Sequence, residues 1–307
     1  MVTMAKIMVT GATGLLGRAV VKQLKQCSDF QVIECGFSRA SIGIEVLDLT
    51  QSEQVFEFVA KHKPDAIVHC AAERRPDVSE QAPQAALALN AEASDSLAKA
   101  ASQNGAWLLY ISTDYVFDGT APKYEESSQT NPVNFYGQSK LQGENLVADS
   151  EPSFAILRLP ILYGDVESLN ESAVMVLLKH LLAPHVEYLD DWAVRSPTST
   201  ADIAVAIHEM LVLQLAGKQL SGRYHFSAEE TMSKYQMLLV MAEILGLDTG
   251  HLIAVTSPTD SAKRPKDCSL SCERLASLGI KSRLPFKVGI ESALLQSSVV
   301  QQWLAQR

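Results

Sequence analysis

The chain has 307 residues, 47% of them apolar, which is ample for a sizeable buried core and argues against disorder. Its 35 acidic against 26 basic residues give a formal charge of -9, with no long basic block, so binding a nucleic-acid backbone is excluded as the main activity. Cys27, Cys35, Cys70, Cys268 and Cys272 form no CxxC pair and the seven histidines lack zinc-ligand spacing, which points to reduced thiols and no metal centre.

The N-terminus passes within a few residues into the strand-like "KIMVTG", leaving no room for a signal peptide, and no apolar run is long enough to span a bilayer; a cytoplasmic chain is expected. Short apolar runs then alternate with amphipathic stretches: "KIMVT", "LLGRAVVKQLKQ", "QVIEC", "SEQVFEFVAKH", "DAIVHC", "PQAALALNAEASDSLAKAASQ", "AWLLYIS". Strand and helix at this spacing predict parallel βαβ units, hence an α/β fold of the doubly wound, Rossmann type. "DAIVHC" and "WLLYIS" are nearly continuous in apolar character, as central strands covered on both faces should be. Ala85, Leu89, Ala93, Leu97 and Ala101 recur every fourth residue, predicting one long helix lying close on the sheet.

Beyond about residue 165 the rhythm changes. "ESAVMVLLKHLLA" reads as a helix, "DDWAVRSPTSTADIA" as a polar segment, and "SKYQMLLVMAEILG" as a helix with Ser233 and Gln236 in capping-box spacing and a terminal Gly246. "RPKDCSLSCERLASLGI" predicts another short helix, stopped at Gly279, with Leu275 and Leu278 facing inward. The expected division is a nucleotide-binding domain over 1–165 and a smaller α/β lobe for substrate or partner over 166–307, with chain crossings between them.

"TGATGLLGRAV" follows the first strand and opens the first helix, with Gly11, Gly14 and Gly17 three apart, which is the context a dinucleotide fingerprint requires. Gly11 permits a tight turn, Gly14 lets the backbone approach a pyrophosphate, and Gly17 lets helix and strand pack closely. Thr13 stands among the exposed donors. At the end of the second strand, "ECGFSRAS" places Glu34 early and puts Ser38 and Arg39 where a hydroxyl and a guanidinium fork would meet a 2′-phosphate, so NADP(H) is favoured over NAD(H). Asp48 and Leu49 of "VLDLT" offer an acceptor and an apolar contact to an adenine.

"YISTDYVFDG" places Ser112, Thr113 and Asp114 at the carboxyl end of a central strand, where open α/β sheets hold their sites. Tyr136 and Lys140 of "FYGQSKLQGE" share one face of a predicted helix. A phenol of pKa ~10 becomes useful near neutrality if a neighbouring ammonium lowers that value; a shift of ~2–3 units needs about 3–4 kcal/mol. Thr113 would donate to a substrate oxygen.

The motifs "TGATGLLG", "HCAA", "STDYVFDG" and "YGQSK", in this order, resemble the extended short-chain dehydrogenase/reductases, and "STDYVFDG…NPVNFYGQSKLQGE" is similar to the dTDP-4-dehydrorhamnose reductase branch. The resemblance covers essentially the whole chain. It implies that Tyr136 protonates the reduced carbonyl oxygen, Lys140 binds the nicotinamide ribose and lowers the tyrosine pKa, and Thr113 polarises the carbonyl. It also places Cys70, Ala71, Ala72, Arg74 and Leu162 along the cofactor cleft, and the cofactor-binding set takes in Leu15, Leu16 and Phe37.

"HCAAERRPDV", "RLPILYG", "ESAV" and "RSPT" resemble a narrower group in the same branch, the NADP-binding regulatory β subunits of methionine adenosyltransferase. Sugar reductases of the branch usually carry a base-stacking Trp where this chain has Pro160, Ile161 and Leu162. Two readings follow: an NADP-dependent reductase acting on a keto group, such as that of a nucleotide sugar, with Asp114, Arg195 and Thr198 as candidate substrate residues; and a cofactor-binding regulator whose partner is a methionine adenosyltransferase catalytic subunit. An epimerase or dehydratase is disfavoured because the usual extra acidic partner for proton abstraction is not evident beside Thr113, although Asp114 keeps that alternative open.

Overall fold

The computed structural model describes residues 4–27, 29–258 and 263–305. Apolar runs too short for helices become the strands β1 (Ala5–Thr10), β2 (Phe30–Gly36), β3 (Glu45–Val46), β4 (Ala66–His69), β5 (Trp107–Thr113) and β6 (Ala155–Leu159). They pair in parallel in the order 3-2-1-4-5-6, and Gly222–His225 adds a seventh parallel strand beyond β6. All four residues of β4 are buried, as the unbroken apolar run requires. The sheet reverses direction between β1 and β4, and the crevice at that reversal is where a ligand belongs in such folds.

Helix α1 (Leu15–Lys25) buries Leu16, Val20, Val21 and Leu24, a stripe at helical spacing, and packs against the helix Thr200–Leu215 from much later in the chain. That helix and the strand Gly222–His225 bring residues beyond 165 back into the sheet layer. A second core, around Tyr163, Leu178, Met237, Met241, Phe286 and Ile290, holds the remaining C-terminal elements together. The capping box at Ser233 and Gln236 forms, and Gly246 ends that helix at φ +66°. A short helix, Glu273–Ala276, buries Leu275, Gly279 follows at φ +86°, and the helices Phe286–Gln296 and Ser298–Leu304 come after it. Among the described residues no helix is long and apolar enough to cross a membrane.

Two helices differ from their expected form. The long helix over 83–103 is interrupted by a π turn, Ala88–Glu92. There the Asn90 carbonyl accepts from the Tyr110 hydroxyl at 2.9 Å and from Ser94 Oγ at 2.9 Å, contacts that compete with the regular ladder. "ESAVMVLLKHLLA" breaks into 3₁₀ turns, Leu169–Glu171 and Met175–Leu177, and a short helix, Leu178–Leu181. Ser172 explains the break, because its hydroxyl donates to the Leu162 carbonyl at 2.7 Å and accepts from the N–H groups of Val174 and Met175.

Candidate functional site

A cavity of about 670 Å³ opens at the carboxyl ends of the strands. Gly11, at φ +65°, turns the chain out of β1, and a Cβ there would stand 2.7 Å from the Ala71 nitrogen. At Gly17 a Cβ would overlap the Gly11 carbonyl oxygen, so α1 can approach the turn this closely only with glycine at that position. Gly14 is the N-cap of α1 and offers no side chain to its first N–H groups, which leaves those donors for an anion. Thr13, Leu15 and Leu16 line the same wall.

Past β2 the wall is formed by Phe37, Ser38 and Arg39, and facing them by Asp48 and Leu49. Glu34 is turned away and paired with Lys25, so it is not the acidic ribose ligand that an NAD site uses. Asp48 Oδ1 accepts from the Thr50 amide at 3.0 Å and its hydroxyl at 2.7 Å, which fixes the turn that carries Leu49. Cys70, Ala71, Ala72 and Arg74 follow β4 along the floor, and Leu162 closes the far side beside Pro160 and Ile161. Burial pushes the Cys70 thiol up to about 12, so it lines the cleft as a neutral apolar group.

The chemical end of the cavity is built by β5 and the helix Phe135–Ser150. Asn134 caps that helix by accepting from the Gly137 amide at 2.9 Å, and Gly137 is needed because a Cβ there would overlap the Tyr115 carbonyl. Tyr136 and Lys140, one turn apart, both face the cavity with Thr113. The Thr113 hydroxyl donates to Asp114 Oδ1 at 3.1 Å and stands beside the Tyr136 phenol. Lys140 Nζ donates to the Ile111 carbonyl at 2.7 Å and lies 4.0 Å from the centre of the Tyr110 ring.

Burial pushes the Tyr136 phenol well above its ordinary value, with Asp114 and Tyr115 adding to the rise and Thr113 and Arg74 pulling the other way. Lys140 itself is brought down to about 7 by burial, against the opposing pull of Glu144 and Cys70. Asp114 is pushed up to about 7 by burial, opposed by Arg195 and the Thr113 hydrogen bond. Arg195 also lines the cavity and is 5% exposed.

Thr198 is the one candidate that the structure removes from the site. It is fully buried and outside the cavity lining; its hydroxyl donates to the Ser196 carbonyl and accepts from the Ala228 amide, both at 2.9 Å, which makes it a fastener between two loops.

Three supporting residues were not read from the sequence. Asn90 Oδ1 accepts from the Glu73 amide at 2.9 Å, and its amide group donates to the Glu73 carbonyl and to Ser139 Oγ, fastening the floor segment to the catalytic-end helix. Glu144, four residues after Lys140, is fully buried and bonded to Ser112 at 2.6 Å and to Arg158 at 2.8 and 2.7 Å, which locks that helix to β5 and β6. Helical spacing from Lys140 was the available signal for Glu144. The third, Glu171, reaches into the cavity and pairs with Arg18 and Arg39.

The family model described as RmlD substrate binding domain matches residues 5–299. The chain is 42% identical over 300 residues to methionine adenosyltransferase 2 subunit beta of Bos taurus, covering 97% of this chain and 90% of the relative. It is 31% identical over 242 residues to the dTDP-4-dehydrorhamnose reductase of Aggregatibacter actinomycetemcomitans, 78% of each chain. The crystal structure of dTDP-4-dehydrorhamnose reductase from Bacillus anthracis in complex with NADP superposes with a TM-score of 0.80 at 26% identity, covering 96% of this chain and 99% of that one.

Proposed function

The chain belongs to the RmlD substrate binding domain family, and on that premise we propose that it is an NADP(H)-dependent reductase that acts on a keto group, such as that of a nucleotide sugar. The observation that carries this reading is that Thr113, Tyr136 and Lys140 meet in the same cavity as the Gly11–Gly17 turn and Arg39. The residues present fit a dinucleotide: the turn can form and α1 can pack on it only because Cβ atoms are missing at Gly11 and Gly17, Gly14 leaves the first N–H groups of α1 open to a pyrophosphate, and Ser38 and Arg39 favour a 2′-phosphate. NAD(H) is disfavoured because Glu34 is engaged by Lys25. When bound, the cofactor supplies the hydride.

The chain supplies the rest. Tyr136, whose phenol keeps its proton at neutral pH, donates that proton to the carbonyl oxygen as the alcohol forms. Thr113 orients the carbonyl beside the phenol, and Lys140, partly charged near pH 7, holds the cofactor's ribose hydroxyls. Asp114 and Arg195 contact substrate. NADPH oxidation with a panel of 4-keto nucleotide sugars should be observed, and Tyr136→Phe should lower that rate about 10²–10⁴-fold with NADPH affinity retained. Tight NADPH binding without turnover on any keto substrate would sink the reductase reading.

A second reading is favoured by the 42% identity to the bovine subunit beta over 97% of the chain. In it, the protein keeps the cofactor and binds a methionine adenosyltransferase catalytic subunit in the cytoplasm as a regulator. Co-purification with that enzyme at micromolar concentration is expected; no complex would exclude it.

A further inference from the structure

Glu171 lies in the 3₁₀ turn that follows the strand Leu162–Tyr163 and lines the cavity, joined to the glycine turn through Arg18, whose Nη1 also donates to the Thr13 carbonyl at 2.7 Å. Its side chain is 12% exposed and is surrounded by donors. Arg18 Nη2 bonds Oε2 at 2.6 Å and Nη1 bonds Oε1 at 3.2 Å; the Glu167 amide bonds Oε2 at 2.9 Å; Arg39 Nη1 bonds Oε1. Burial would raise this carboxyl, but the donors outweigh it and hold the value at about 2, so Glu171 is an anion at any working pH. Two guanidinium groups and a backbone N–H on one anion are a donor set that suits a phosphate equally well. Arg39, 48% exposed, is the guanidinium assigned above to the cofactor's 2′-phosphate. The same loop is tied to the nucleotide side by Arg74 Nη2, which donates to the Asn170 carbonyl at 2.9 Å, and by Arg18 Nη2, which donates to the Asp165 carbonyl at 3.3 Å.

We propose that Glu171 is an internal competitor for the 2′-phosphate: Arg39 holds either the 165–172 loop or the phosphate monoester of NADP(H), and only a cofactor carrying that phosphate releases the loop from Arg39. This rests on the NADP(H) reading. The phosphate outbids a carboxylate because it carries more charge and more acceptor oxygens, whereas NAD(H) brings no rival to Glu171. The need to break the Arg39–Glu171 pair therefore weakens NADPH binding and leaves NADH binding untouched. Glu171 thus limits the preference for NADPH while making the position of the loop respond to which cofactor is bound.

Fluorescence titration with NADPH and NADH of the wild type, Glu171→Gln, Arg39→Ala and the double variant tests this. Glu171→Gln should raise the NADPH-over-NADH preference about two- to fivefold, the range of a partly exposed ion pair. Any effect of the freed Arg18 on the shared pyrophosphate cancels in that ratio. In the Arg39→Ala background the same substitution should leave the ratio unchanged. Hydrogen exchange of residues 165–172 in the wild type gives a second measurement that needs no variant, and it should be faster with saturating NADPH than with saturating NADH. A wild type without preference for NADPH overturns the cofactor reading and this inference together. A clear preference for NADPH, combined with an unchanged ratio in Glu171→Gln or equal exchange with both cofactors, overturns this inference alone.

Discussion

Replacing Asp114 by Asn makes the buried carboxyl measurable. Asp114 is 3% exposed, and burial lifts its pKa from 3.8 to about 7 in spite of Arg195 and the Thr113 hydroxyl. Since the folded value lies above the unfolded one, the native chain binds more protons than the unfolded chain between these two values. Stability from this group is therefore complete below about pH 4 and is lost as pH rises through about 7. A shift of about 3 units at 1.36 kcal/mol each amounts to roughly 4 kcal/mol at most. The Asn side chain keeps an oxygen acceptor for the Thr113 hydroxyl, now 3.1 Å from Oδ1, and cannot ionise. Urea unfolding of both proteins at several pH values from about 4.5 to about 8 should show the variant gaining on the wild type as pH rises, by up to about 3 kcal/mol over that range, with the gain levelling off above the folded pKa. A difference that stays flat across that range would mean that Asp114 titrates as an ordinary carboxyl and that the desolvation argument is wrong. The same variant should remove one inflection near neutrality from the pH dependence of turnover and leave that of Lys140.

Two further substitutions probe the frame of the site. Gly17→Ala places a Cβ onto the Gly11 carbonyl oxygen and 2.9 Å from Ala12 Cα, so it should cost about 1–3 kcal/mol and abolish NADPH binding; an unchanged melting temperature with normal cofactor affinity would refute the close-approach argument. Glu144→Gln leaves the buried Arg158 uncompensated and should cost about 3–5 kcal/mol in thermal or urea unfolding, and adding Arg158→Met should recover much of that loss. A single variant as stable as the wild type would mean that water or another group already solvates Arg158.

The doubly wound parallel sheet and the cofactor wall were legible because local patterns encode them. Continuous apolar runs gave β4 and β5, and three glycines at fixed spacing between strand and helix gave the turn. Residues from Gly11 to Leu162 that were assigned to the cofactor all line one cavity. What escaped depends on contacts distant in sequence. The π turn at Ala88–Glu92 arises from Tyr110, 20 residues away, and the expected helix at 171–183 breaks because Ser172 finds the Leu162 carbonyl. Thr198 was misplaced for a related reason: a polar residue in a polar loop is a candidate ligand until the Ala228 amide is seen to claim its hydroxyl. Glu171 was unremarkable in sequence because its partners, Arg18 and Arg39, are 153 and 132 positions away.

The direction of the perturbations at the chemical end bears on what the cavity is for. Tyr136, Asp114 and Lys140 are all shifted by burial towards their neutral forms, the first two upward and the third downward. Binding a dinucleotide does not require this, since the glycine turn, Ser38 and Arg39 lie elsewhere along the cleft. Proton donation does: a phenol that retains its proton, set beside a threonine hydroxyl in a desolvated pocket, can transfer that proton to an alkoxide as it forms and stays inert towards a neutral ketone until then. Asp114 and Lys140, buried and shifted to about 7, also lower stability at neutral pH, and strongly perturbed groups gathered at one end of a cleft are a mark of a reacting centre. The free energy held in Asp114 and Lys140 therefore favours the reductase reading, and a regulator that had lost its chemistry would gain stability from their replacement by Asn and Met.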